Sequence, residues 1–255
     1  MESFASHDGT RIAYLDQGSG PAVLLLHGLT ANVKVNWVEP GIVDSINAEG
    51  FRVIAIDTRG HDNSEAPTDP DAYHPDAIAA DAAGLVRHLE AEPVAVVGYS
   101  YGCRTASILA SDQRLKLSAL VLGGTDLDTT LNPHPKDNAF TDAICGVLLA
   151  EDPRSVQLPG MDQMLTQLDE WNANYHAIAH IYRGMQNARP IDFDAITVPT
   201  LVINSPEEPD PSVVADLIPG AKTARLAAGG HLTGPKEPDF LPQVLGFLKE
   251  HVGRA

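Results

Sequence analysis

Ser100, His231 and a cluster of carboxylates at 207–210 are residue types that together turn a weak alcohol into a nucleophile. A serine hydroxyl at neutral pH needs a base to take its proton, a group to orient that base, and donors for the oxyanion that forms. Ser100 lies in Gly98-Tyr99-Ser100-Tyr101-Gly102, directly after the apolar run Pro93-Val94-Ala95-Val96-Val97. His231 follows about 130 residues later in Gly229-Gly230-His231, in the order serine, acid, histidine known from one triad architecture. His88, His176, His180 and His251 fall in predicted helices, where a solvated or packed imidazole is the default. His7, His61, His74 and His134 fall in loops with no supporting pattern.

Three carboxylates, Glu207, Glu208 and Asp210, stand in Ser205-Pro206-Glu207-Glu208-Pro209-Asp210-Pro211, and a fourth, Asp126, follows Gly123-Gly124-Thr125. Spacing does not choose among them, and an acidic run is ordinarily solvated. Oxyanion donors are expected from the backbone N–H groups of Tyr101, next after the serine, and of Leu29, in the loop opened by His27-Gly28. His27 and Gly28 themselves are read as substrate-facing.

The elements around these residues explain how they meet. Val94–Val97 reads as a buried parallel strand and Arg104–Ala110 as a helix, so Ser100 occupies a tight strand-to-helix turn beside a helix N-terminus, where negative charge is favoured. Further strands are predicted at Arg11–Asp16, Ala22–Leu26, Arg52–Asp57, Ala119–Leu122, Thr200–Asn204 and Thr223–Leu226. Helical patterns separate them: around Ile42–Ile46, from Pro75 onward, near Pro211–Leu217, and through Phe240–Leu248. Such alternation predicts an α/β protein with a mostly parallel sheet covered on both faces.

From Asp126 to about Ile196 strand signals disappear, over a stretch too long for a plain loop. Its second half spaces Met164, Leu168, Trp171, Tyr175, Ile178, Tyr182 and Met185 in steps of four and three, the period of an amphipathic helix. This predicts a helical cap over 126–196, with a core of 1–125 and 197–255. The apolar stripe is expected to pack on the core, with Trp171 and Tyr175 also reaching substrate.

Composition narrows the function further. Among 255 residues, 17 are basic and 34 acidic, a formal net charge of −17 that disfavours nucleic acid and anionic membrane as partners. Two cysteines, Cys103 and Cys145, make no disulfide framework. The N-terminal residues lack the basic and apolar regions of a secretory signal, and no apolar run nears the ~20 residues of a membrane helix. A cytoplasmic protein acting on a small molecule is expected. No histidine–carboxylate cluster has metal-ligand spacing, so no cofactor is expected.

Taken in order, His27-Gly28-Leu29-Thr30, Asp57-Thr58-Arg59-Gly60-His61, Gly98-Tyr99-Ser100-Tyr101-Gly102, Val198–Ile203, Ile218-Pro219-Gly220-Ala221 and Gly230-His231 resemble the α/β-hydrolase superfamily over nearly the whole chain. The resemblance implies a sheet of about eight strands, a cap inserted after the sixth, Ser100 as nucleophile, His231 as base, and Leu29 and Tyr101 as oxyanion donors. By the same resemblance Glu208 takes the position of the acid, although the usual Gly-x-x-Asp is replaced by Ser205-Pro206-Glu207-Glu208; Asp210 ranks second and Asp126 last. Two other departures are Asp62, where the family often has Gly, and Cys103, read as a packing residue. Relatives that open epoxides or remove halide use an Asp nucleophile, which position 100 is not.

These features predict a serine hydrolase that cleaves carboxylic esters, or related acyl bonds such as lactones, through an acyl-enzyme on Ser100. The alternatives are a carbon–carbon bond hydrolase, a perhydrolase or a non-hydrolytic lyase on the same fold, and, in a different class, a ligand-binding protein with a degenerate triad.

Overall fold

The computed structural model describes residues 1–253. In chain order the elements are β1 (Glu2–Ala5), β2 (Arg11–Gln17), β3 (Ala22–Leu26), α1 (Ile42–Ala48), β4 (Arg52–Ile56), α2 (Pro75–His88), β5 (Val94–Tyr99), α3 (Tyr101–Ser111) and β6 (Leu117–Gly123). There follow α4 (Ala139–Leu148), α5 (Met161–Glu170), α6 (Tyr175–Gln186), β7 (Thr200–Asn204), α7 (Ser212–Ala215), β8 (Lys222–Arg225) and α8 (Phe240–His251). The eight strands form one sheet in the order β1-β2-β4-β3-β5-β6-β7-β8. Only β2 runs antiparallel to its neighbours, β1 and β4; the remaining pairs are parallel.

The apolar runs noted in the sequence are continuous because the central strands are covered on both faces. In β5, Val94 and Val96 join the core beneath α2 and α3, whereas Ala95 and Val97 join the core beneath α1 and α8. Strands β3 and β5 are neighbours in register, with Leu26 opposite Gly98, while the chain leaves β3 for β4 on the other side. The order of the sheet therefore reverses between β3 and β5, and a crevice opens beyond their carboxyl ends, the usual place for a ligand in an open α/β sheet.

Two elements depart from expectation. Strand β1 was not foreseen: it is four residues long, with Phe4 alone buried, so it carries almost no pattern of its own. The amphipathic helix expected through the stripe from Met164 to Met185 is two helices, α5 and α6, broken at Trp171–Asn174. Asn172 there adopts φ 52°, and the Asn174 side chain caps α6 by accepting from Ala177 N–H at 3.0 Å. The apolar phase survives the break because Leu165 and Leu168 of α5 and Ile178 and Ala179 of α6 share one cluster with Ile144, Val147 and Leu148 of α4. The opposite side of α6 packs Ala177, Ile181 and Met185 onto Tyr73, Ile78 and Tyr101. Between β6 and β7 the chain is helical or irregular throughout, and these helices lie over the crevice.

Candidate active site

Ser100 has φ 52° and ψ −122°, a backbone conformation that residues with side chains rarely adopt. The glycines two positions away make the turn feasible. A Cβ at 98 would lie 2.5 Å from the Gly102 carbonyl oxygen, and one at 102 would run into the backbone carbonyls of Leu26 and His27. The turn thus lifts Ser100 above the sheet at the head of α3. Cys103, one step further, is buried and directs Sγ to the carbonyl oxygens of Gly98 at 3.3 Å and Gly123 at 3.2 Å. Burial pushes its thiol pKa up, as suits a packing residue rather than a reactive thiolate.

The Ser100 hydroxyl donates to His231 Nε2 at 2.8 Å, and His231 Nδ1–H donates to Glu208 Oε1 at 2.7 Å. Glu208 Oε2 accepts the Ser205 N–H at 2.6 Å, so both carboxylate oxygens are engaged. Burial by itself would raise the Glu208 pKa, but the hydrogen bonds from His231 and Ser205 outweigh it and hold the carboxyl below its usual range. The imidazole stays accessible from the crevice, its side chain 45% exposed, whereas the Glu208 side chain is only 7% exposed.

Distant strand ends are tied together to make this arrangement. Asn204, closing β7, accepts from Thr125 N–H at 3.0 Å and donates to the carbonyls of Thr125 at 2.8 Å and Pro209 at 3.0 Å. That fixes the acid loop against the end of β6. The Tyr99 hydroxyl donates to the His231 carbonyl at 2.7 Å, joining the histidine loop to the residue before the serine. Of the other three carboxylates, Glu207 is exposed and two are occupied elsewhere. Asp210 is exposed and accepts from Ser212 N–H and Oγ–H; Asp126 caps the following turn by accepting from Thr129 N–H and Oγ1–H.

The loop after β3 is held by three buried side chains. Asn36 Oδ1 accepts Gly28 N–H at 2.9 Å, His27 Nδ1–H donates to the Gly28 carbonyl at 2.8 Å, and His61 Nε2–H donates to the Leu29 carbonyl. His27 Nε2 accepts Thr58 N–H at 3.0 Å, which fixes the neutral tautomer. Burial, reinforced by the neighbouring His61, pushes the His27 pKa down to about 3. Among the described residues, the Leu29 and Tyr101 N–H groups have no internal acceptor, and both residues line the crevice beside Ser100. Gly28 lines it too, and only 3.3 Å separates a Cβ built there from Ser100 Cβ, so any side chain would press on the serine.

The crevice is a cavity of about 390 Å³ bounded below by Ser100 and His231 and above by the helical insertion. Trp171 lines it as expected, its carbonyl held by Asn32 Nδ2–H at 2.9 Å. His27 and Tyr175 do not line it, and this corrects two expectations. His27 is buried and spends both ring nitrogens on its own loop. Tyr175 packs within the insertion, its hydroxyl donating to Asp169. The loop-holding roles of Asn36, Tyr99 and His61 are not legible in the sequence, because their partners lie in other segments: the Gly28 N–H, the His231 carbonyl and the Leu29 carbonyl. As for metal ligands, His7, Asp8 and Asp81 lie close together, but Arg59 already takes both carboxylates, so they serve as its counter-ions.

Comparison with known proteins agrees with this architecture. A family model described as alpha/beta hydrolase fold matches residues 21–145. An epoxide hydrolase of Caballeronia sordidicola is 33% identical over 99 residues, covering 39% of this chain and 29% of that protein. A 2-(acetamidomethylene)succinate hydrolase of Mesorhizobium japonicum is 36% identical over 147 residues, 56% of this chain and 48% of that protein. The matches thus span less than half the length of these curated relatives. The crystal structure of the enol-lactonase from Burkholderia xenovorans superimposes with a TM-score of 0.79 at 21% identity, covering 97% of this chain and all of that one. With the family model, the eight-stranded sheet and this structural likeness in agreement, the chain has the α/β-hydrolase fold.

Proposed function

We propose that the chain is a serine hydrolase that cleaves carboxylic esters, or related acyl bonds such as lactones, of small molecules. The observation that carries this reading is the unbroken relay from Ser100 Oγ to His231 Nε2 at 2.8 Å and from His231 Nδ1 to Glu208 at 2.7 Å. His231 Nε2 takes the hydroxyl proton as Oγ attacks the acyl carbon. The carbonyl π pair moves onto oxygen, where the N–H groups of Leu29 and Tyr101 receive the charge, each such donor contributing about 3–4 kcal/mol. Collapse of the tetrahedral species expels the alcohol with the proton from Nε2. Water, deprotonated by the same nitrogen, then attacks the acyl-enzyme and releases the acid.

Serine chemistry separates this reading from the epoxide opening named for one relative. Attack of Oγ on an epoxide carbon leaves an ether, which has no carbonyl for water to attack, so turnover would stop there. Acyl transfer leaves an ester, which water hydrolyses.

The test is steady-state hydrolysis of p-nitrophenyl hexanoate by the parent and by Ser100→Ala. The parent should turn over, and the variant should lose at least about 10³-fold in kcat, in line with nucleophile removal in other serine hydrolases. Equal rates in the two proteins would overturn the proposal, and a parent with no turnover would favour the binding-protein alternative.

A further inference from the structure

The charges around the cavity bear on which esters reach Ser100, an inference that rests on the serine-hydrolase reading above. Among the described residues lining the cavity no Lys or Arg occurs, and the one ionised side chain, His134 and His231 aside, is that of Asp128. The adjoining outer groove shares Gln167, Trp171 and Leu232 with the cavity and adds Asp162 and Glu170, again with no basic residue. Arg104 and Arg183 are committed elsewhere. Buried Arg104 gives its guanidinium to the carbonyls of Leu131 and Arg189 at the two ends of the helical insertion, and Arg183 pairs with Asp142 at 2.6 Å. His134 is also engaged: Nε2–H donates to the Thr129 carbonyl and Nδ1 lies beside Thr141 Oγ1, each at 3.2 Å.

We propose that this site is built for esters whose acyl part is uncharged and that it rejects acyl groups bearing a free carboxylate. A carboxylate entering the cavity would lose water without gaining a cationic partner, and would do so facing Asp128 from a mouth that carries Asp162 and Glu170. The apolar lining, with Phe140, Met164, Trp171 and Tyr182, instead favours an alkyl or aryl acyl chain. The consequence is specific: a succinate-type substrate, as named for the Mesorhizobium relative, is not what this cavity accommodates.

The experiment compares p-nitrophenyl hexanoate with the mono-p-nitrophenyl ester of adipate, in which a carboxylate replaces the terminal methyl. At low ionic strength kcat/KM should be at least about 100-fold lower for the adipate ester. Added salt should raise the adipate value while leaving the hexanoate value flat, because screening weakens repulsion from the acidic mouth. Gln167→Arg, which sets a cation at the rim, should raise the adipate-to-hexanoate ratio at least about tenfold. Similar rates on both esters, or a ratio unmoved by salt and by Gln167→Arg, would overturn this inference while leaving the serine-hydrolase reading intact. Turnover of neither ester would overturn both.

Discussion

Glu208 and His231 meet through a 2.7 Å hydrogen bond from Nδ1–H to Oε1, although 23 residues and strand β8 separate them in the chain. That contact directs the other ring nitrogen, unprotonated, at the Ser100 hydroxyl. Glu208→Gln keeps the shape but offers an amide donor as readily as an acceptor, which favours the wrong imidazole tautomer. It should lower kcat on p-nitrophenyl hexanoate by about 10²- to 10⁴-fold with little change in far-UV circular dichroism. Asp210→Asn, at an exposed position bonded only to Ser212 and Arg225, should stay within about twofold of the parent. The reverse ranking would move the acid to Asp210.

Asn36 is assigned a positioning role through Gly28. Its Oδ1 holds the Gly28 N–H at 2.9 Å, and the next N–H along, that of Leu29, is the proposed oxyanion donor. Asn36→Ala should free the loop and lower kcat by about 10- to 100-fold, a fraction of what loss of a whole donor removes, with KM changed much less. A rise in KM alone would mean that Asn36 only lines the substrate pocket.

His27 ties the same loop to stability in acid. Its folded pKa, about 3, lies below the ordinary histidine value, so the unfolded chain binds a proton that the folded chain does not. The contribution is complete above about pH 6.5 and is lost as pH falls toward 3, at up to roughly 1.4 kcal/mol per pH unit. Urea unfolding at pH 7.0 and 5.5 should therefore show the parent losing about 1 kcal/mol more than His27→Gln. An identical pH dependence in the two proteins would remove His27 as the source.

How much of this was legible depends on where each signal is written. Ser100 and its turn were readable because the need for glycine at 98 and 102, a buried strand before and a helix after are all local. His231 was readable from its place after the last strand and its glycine neighbours. Spacing alone left Glu207, Glu208 and Asp210 open and only the family resemblance put Glu208 first, because the choice depends on the path of the acid loop, which Asn204 sets through Thr125 and Pro209 across two strand ends. The buried, loop-holding role of His27 is hidden for a related reason: its partners, the Gly28 carbonyl and Thr58 N–H, belong to two loops that only the parallel pairing of β3 and β4 brings together. The break at Trp171–Asn174 stayed hidden because both helices face one apolar cluster and keep its period.

Reaction of Ser100 with a fluorophosphonate, read by intact mass and by peptide mapping, tests the nucleophile without any choice of substrate. The parent should gain one phosphonyl group on the peptide holding Ser100 and lose turnover of p-nitrophenyl hexanoate in step, while Ser100→Ala gains none. A parent that stays unmodified, or an adduct that persists in Ser100→Ala, would contradict an activated hydroxyl at this position.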